Sequence, residues 1–262
     1  MQRYNHDQCF EEHQKSNYKE PAVAQKYLSL AHTLKYKIWN SIKLAMEIFS
    51  IKSVPTTGWS SDRPLNLSPK FLTVFMLCIG LALFGLGESL IITASVGMSP
   101  WTVLAEGLSL KTGLGIGLLT FLISLSVLLL WFPLKQSAGI GTILNVVIIA
   151  SVITWSLPYL PHPESYFLSV VQAIFGTLLV GFGSGIYLIA NLGPGPRDGL
   201  MTGCQRLTGL AIAWVRVFLE VTVITLGWSL GGTIGVGTII FALGIGPSVS
   251  VGLYCIAAIS KD

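Results

Sequence analysis

The chain has 262 residues, 52% of them hydrophobic and only 11% charged, with a mean hydropathy of +0.70. That balance excludes an ordinary soluble domain and fits a polytopic membrane protein. The net charge of +4 belongs largely to residues 1–70, which hold ten of the sixteen Lys/Arg and six of the twelve Asp/Glu, so it gives no sign of a nucleic-acid partner.

Residues 1–21 are polar, expected to lack fixed structure, and without the apolar core of a cleavable signal. In 22–52, Tyr27, Leu30, Ala31, Leu34, Ile38, Ile42, Ala45 and Phe49 recur at three- and four-residue steps, with Lys26, Lys35, Lys37 and Lys43 largely off that stripe. The pattern predicts a basic amphipathic helix lying on the inner leaflet; a dispensable extension with accidental periodicity is the alternative. A Pro/Ser-rich linker, 53–70, completes an N-terminal extension.

From Phe71 onward the chain is a hydrophobic array. Six segments, roughly 71–93, 114–133, 139–157, 167–190, 210–229 and 234–255, are long enough to cross about 30 Å of hydrocarbon. The stretches 100–111 and 196–207 would reach only about 18 Å as helix, which suits half-membrane helices. The expected fold class is therefore all-α: a membrane bundle of about six spans and two half-helices.

An internal repeat divides the array into 71–166 and 167–262. Shifting Phe71 onto Phe167 brings Gly80, Gly85 and Gly87 onto Gly176, Gly181 and Gly183 without a gap. The same register aligns Gly97 and Pro100 with Gly193 and Pro196, Gly107 with Gly203, Thr112-Gly-Leu with Thr208-Gly-Leu, and Gly141-Thr-Ile with Gly237-Thr-Ile. Shared apolar composition does not align glycines and prolines, so a duplication is the reading. Three full spans per copy make an odd number, which predicts an inverted-topology repeat. With both termini cytoplasmic, Lys135, Arg197, Arg206 and Lys261 fall inside, while the 158–166 and 229–233 loops outside carry no Lys or Arg. Lys111 is the outer exception to the positive-inside rule.

The functional centre is expected at the matched runs Ser95–Leu104 and Asn191–Leu200. Proline at the first helical position needs no amide donor, so Ser99 and Gly195 should be N-caps, with Pro100 and Pro196 at N1. In an inverted pair the two helix N-termini meet near the midplane, where free N–H groups favour an anionic or carbonyl-bearing solute. The candidate substrate-binding residues are Gly193, Gly195, Pro196, Arg197, Asp198, Ser99, Pro100, Trp101 and Arg216; Glu220 and Glu88 are candidate proton carriers. Each has a plainer alternative. Arg216 and Glu220 could form an ion pair locking two helices, and Asp198 could bond the free amides of its own helix start. Arg197 could contact lipid phosphate at the cytoplasmic mouth, and Glu88 could be protonated against a backbone carbonyl. Trp101 and the other tryptophans would be interfacial anchors, and the glycine steps 176–185 and 113–117 would be sites of close helix approach.

Gly193-Pro-Gly-Pro-Arg-Asp-Gly-Leu-Met-Thr-Gly203, Arg216-x-x-x-Glu220 and Gly227-Trp-Ser-Leu-Gly-Gly-Thr233 resemble the YczE-like bacterial integral membrane family, grouped with the YczE/YyaS/YitT set. Phe84-Gly-Leu-Gly87, Gly97-Met-Ser-Pro-Trp101 and Leu130-Trp-Phe-Pro-Leu134 extend the resemblance over about 63–250. It implies a bacterial cytoplasmic-membrane protein and brings no biochemical activity. The leading expectation is a small secondary transporter or permease for a small anionic or polar solute. A non-transporting scaffold or regulatory partner of another complex is the alternative. An enzyme is not expected, since no His/Asp/Glu cluster is apparent and His162, the only histidine beyond residue 32, falls in an outer loop. Cys9, Cys78, Cys204 and Cys255 are too scattered for metal or redox spacing, and no cofactor is expected.

Overall fold

The computed structural model describes residues 54–259; the polar stretch 1–21 and the expected amphipathic helix lie outside the described residues. Eight α-helices and one 3₁₀ turn, with no strand, make up the described chain. They are α1 (Phe71–Ala94), α2 (Pro100–Thr112), α3 (Ile116–Trp131), α4 (Ile140–Ser156), α5 (Tyr166–Ala190), α6 (Pro196–Thr208), α7 (Ile212–Ser229) and α8 (Val236–Ile259). Five of them, with the 3₁₀ turn counted into α4, are long and apolar enough to cross a bilayer. The segment expected at 114–133 is shorter than predicted. Gly113 ends α2 in the left-handed region (φ 74°) and Gly115 starts α3, leaving α3 only 16 residues. Bent by 116° to α2, it makes a sixth span only if the pair is counted as one.

The same backbone is built twice. Ser95 and Asn191 end α1 and α5 in the left-handed region at φ 56° and 51°. Gly97 and Gly193 follow at 112° and 111°, a conformation open to glycine alone at little strain. Ser99 and Gly195 are then the N-caps, and Pro100 and Pro196 open α2 and α6, as their spacing predicts.

Packing ties the two stretches together through small residues. Gly80 abuts the backbone of Gly183, and Gly87 that of Gly176, so α1 and α5 cross antiparallel with no side chain between them. Gly181 and Gly185 seat α5 against Ser248 and Gly252 of α8 in the same way. In the 113–117 run only Gly117 makes a close approach, to Ala150 and Thr154 of α4; Gly113 and Gly115 are turn residues with open space around them. Each glycine loop is held by the last helix of the other copy. The Gly237 N–H donates to the Val96 carbonyl and the Gly141 N–H to the Leu192 carbonyl, both at 2.8 Å. Thr142 Oγ1 also donates to the Pro194 carbonyl at 2.7 Å. The expected linker is seated on this second loop, with the Ser61 N–H on the Ala190 carbonyl and Asn191 Nδ2 on the Ser61 carbonyl.

Candidate functional site

Because α2 and α6 start well back from the ends of the helices before them, their first turns lie inside the bundle. Ser99 and Thr102 are level with Glu88, and Asp198 with Tyr187. Between the two helix starts is a cavity of about 290 Å³. Pro100 and Trp101 line it from α2, and Gly195, Pro196, Arg197 and Asp198 from the start of α6. Arg216 and Glu220 of α7 face it together with their counterparts in the first copy, Thr120 and Ser124 of α3. The remaining wall is mostly apolar, including Phe84, Ile149, Met201, Phe241 and Ile245.

Arg197 lies in this cavity. Its guanidinium stacks over the Trp101 ring, 5.2 Å from the centroid, a cation–π contact joining the two helix starts. It has no hydrogen-bond or ion-pair partner among the described residues. Glu88, Asp198 and Glu220 are within electrostatic reach of it. Asp198 does not bond the amides of its own helix start; its Oδ2 accepts the Tyr187 O–H at 2.6 Å. Asn145 presents a carboxamide to the cavity with no partner among the described residues.

Arg216 and Glu220 pair at 2.8 Å, but both stand on α7, so they lock no two helices together. The pair is polarised in exposure: the Arg216 side chain is 48% exposed and that of Glu220 22%.

Three expected site residues fall outside the cavity lining. Glu88 is buried behind α2 (1% exposed), where its Oε2 accepts the hydroxyls of Ser99 at 2.9 Å and Thr102 at 2.8 Å rather than meeting a backbone carbonyl. Its Oε1 has no partner among the described residues. Ser99 is consumed by that contact. Gly193 packs on Gly139 and Thr142 and is structural. Trp101 is also no interfacial anchor; it is buried beneath Arg197, whereas Trp155, Trp214 and Trp228 are exposed as anchors should be.

The sequence does not single out Tyr187 or Asn145, and it reads Trp131 only as one of the interfacial anchors. Trp131 fills the space against Gly199 and donates its Nε1–H to the Pro196 carbonyl at 2.9 Å, fixing the helix start that carries Arg197. The signal in each case is a polar or aromatic residue on an otherwise apolar span. Cys78, Cys204 and Cys255 are free thiols, each partly buried.

A family model described as a family of unknown function (DUF6198) matches residues 71–253. An uncharacterized protein of Haemophilus influenzae is 40% identical over 208 residues, covering 79% of this chain and 94% of its own length. The uncharacterized membrane protein YczE of Bacillus subtilis is 35% identical over 168 residues, which is 63% of this chain and 77% of YczE. YyaS of the same organism is 29% identical over 168 residues, 62% and 83% of the two chains. No solved structure matches.

Proposed function

This chain belongs to the DUF6198 family of unknown function and is a YczE-like membrane protein, and we propose that it is a small secondary transporter or permease for a small anionic or polar solute. The observation that carries this reading is Arg197: a cation without an ion-pair partner among the described residues, facing a cavity onto which the α6 N-terminus opens. The free amides and the positive dipole end of α6 add to its attraction for an anion. A ligand carboxylate would bond the free edge of the guanidinium while Trp101 fixes its plane. Tyr187 and Asn145 supply neutral polar contacts beside it.

The antiparallel crossing of α1 and α5, with each glycine loop held by the opposite copy, supports an inverted repeat whose halves rock about the cavity. Both termini are then cytoplasmic in a bacterial inner membrane. Glu220, released from Arg216 when an anion takes its place, is the residue to carry a coupled proton; Glu88 is the second candidate. The protein needs no cofactor and no nucleic acid for this task, and catalyses no covalent step.

The test is uptake in proteoliposomes across a panel of small anions. Flux that is lost in Arg197→Gln, and that loses its pH dependence in Glu220→Gln, supports the reading. Absence of flux for every compound, with a partner copurifying only when residues 1–53 are present, would replace it with the scaffold alternative.

A further inference from the structure

The two copies differ in one packing seam. In the first, α3 and α4 close on each other through Gly117, which lies against Ala150 and Thr154. The equivalent positions in the second are Ala213 on α7 and Gly246 and Ser250 on α8, and α7 and α8 share no comparable seam. Each is fastened elsewhere. Gly107 and Gly227 draw α7 onto α2, and Glu106 of α2 accepts both the N–H and the hydroxyl of Thr233 at the α7–α8 turn. Meanwhile Gly181 and Gly185 draw α8 onto α5. The walls are tied to different partners, and a gap remains between them.

The exposed part of the cavity lining falls at this unsealed seam. Of the residues lining the cavity, only Arg216 and Gly246 are exposed, and they stand on its two sides. A Cβ added at Gly246 meets nothing within 4 Å. The outer face of α7 beside it is that of a lipid-facing helix, with Trp214 70% and Phe218 72% exposed. Arg216 lies about 6 Å into α7, where it is held by Glu220 yet keeps half of its side chain exposed.

We infer that the cavity takes its ligand sideways from the bilayer, and that the ligand is a single-chain amphiphile with a carboxylate head. Arg216 receives the head at the gap and hands it to Arg197 inside. The apolar walls hold the first carbons of the chain, and its remainder trails through the gap into lipid. A cavity of about 290 Å³ is at the small end for ligand sites, fitting one chain and not a two-chain phospholipid. The inference deepens the proposed function in that it rests on the same cavity being the binding site, but it concerns binding and access rather than flux.

The experiment is native mass spectrometry of the full chain released from detergent, with dodecanoate, dodecanol and butanoate as probes. One dodecanoate is expected to bind, in preference to dodecanol and butanoate. Closing the gap with Ala213→Trp should weaken dodecanoate about tenfold or more. Gly246→Phe should do the same from the other wall, and because Gly246 precedes Pro247 the Ala213 variant guards against a helix defect. Arg197→Gln should abolish the preference for the acid over the alcohol. Equal dodecanoate binding in both wall variants, or butanoate binding as well as dodecanoate, overturns the inference. So does cross-linking between two copies through Ala213→Cys, which would make the gap a self-association surface. Bound dodecanoate without any proteoliposome flux leaves this inference standing and removes the transporter reading; flux of water-soluble anions untouched by the wall variants does the reverse.

Discussion

The two glycine-proline helix starts share a backbone and differ in what fills it. At the first, the position in front of the α2 N-terminus is occupied by the protein's own carboxylate, Glu88, held by the hydroxyls of Ser99 and Thr102. At the second, the counterparts are Ser184, Gly195 and Asp198, and the space in front of the α6 N-terminus is the cavity. Trp101 and Arg197 are likewise counterparts, and they stack on each other across the centre. The first start is filled by the chain's own carboxylate, and the second is open and carries Arg197 and Asp198 at its mouth. Two stretches of like backbone can therefore be filled differently: the turn geometry is the same in both, and the open space lies at one.

The heaviest blow to this comparison should come where both copies share backbone contacts. A side chain at Gly183 would fall on the Gly80 carbonyl and the Phe84 amide, neither of which can step aside. Gly183→Val should cost about 3 kcal/mol in thermal or chaotrope unfolding of the purified protein. A loss below about 0.5 kcal/mol would mean that α1 and α5 do not cross at backbone distance.

Copying the first site onto the second is the sharper test. Ser184→Glu with Asp198→Thr recreates the Glu88–Thr102 pair at the α6 N-terminus. A folded protein that has lost its ligand-induced thermal stabilisation is expected, a loss of about 2.7 kcal/mol if the ligand is supplied at about 100 times its Kd. Unchanged stabilisation would show that ligands bind elsewhere. Glu88→Ala should leave ligand binding in place and cost about 2 kcal/mol in stability, because it opens a buried hole and removes the acceptor of two hydroxyls. A variant that folds as well as the parent but no longer binds would move Glu88 into the site.

Much of this arrangement was legible in the sequence because it is local. Helix lengths follow from apolar run length. The helix starts follow from Pro100 and Pro196, whose missing amides and fixed φ suit the first turn. The matched glycines announced the close crossings. What was hidden depends on contacts between distant residues. No periodicity tells that Glu88 reaches residues 11 and 14 positions away, or that Tyr187 takes Asp198 from its expected capping role. Arg216 and Glu220 were legible as a pair, but their place at a gap rests on α7 and α8 being fastened to different neighbours, which is a property of the whole bundle. Trp131 was taken for an anchor because it ends an apolar run; only the approach of α6 turns it inward.

The smallest effects test whether the backbone of the two copies is as alike as their glycines imply. Gly113 and Gly209 end α2 and α6 at φ 74° and 69°, and an added Cβ at either meets nothing within 4 Å. Only left-handed strain then opposes a side chain, so Gly113→Ala and Gly209→Ala should each cost about 1 kcal/mol. Equality is the informative outcome, measured by unfolding the two variants side by side. Gly209 lies in the copy that carries the charges and the open seam, Gly113 in the filled one. If the Gly209 variant cost several times more, the turn before α7 would be under a constraint its twin lacks, and the division of labour would extend into the backbone. Matching values would confine the difference between the copies to the side chains around the cavity and to the gap beside it.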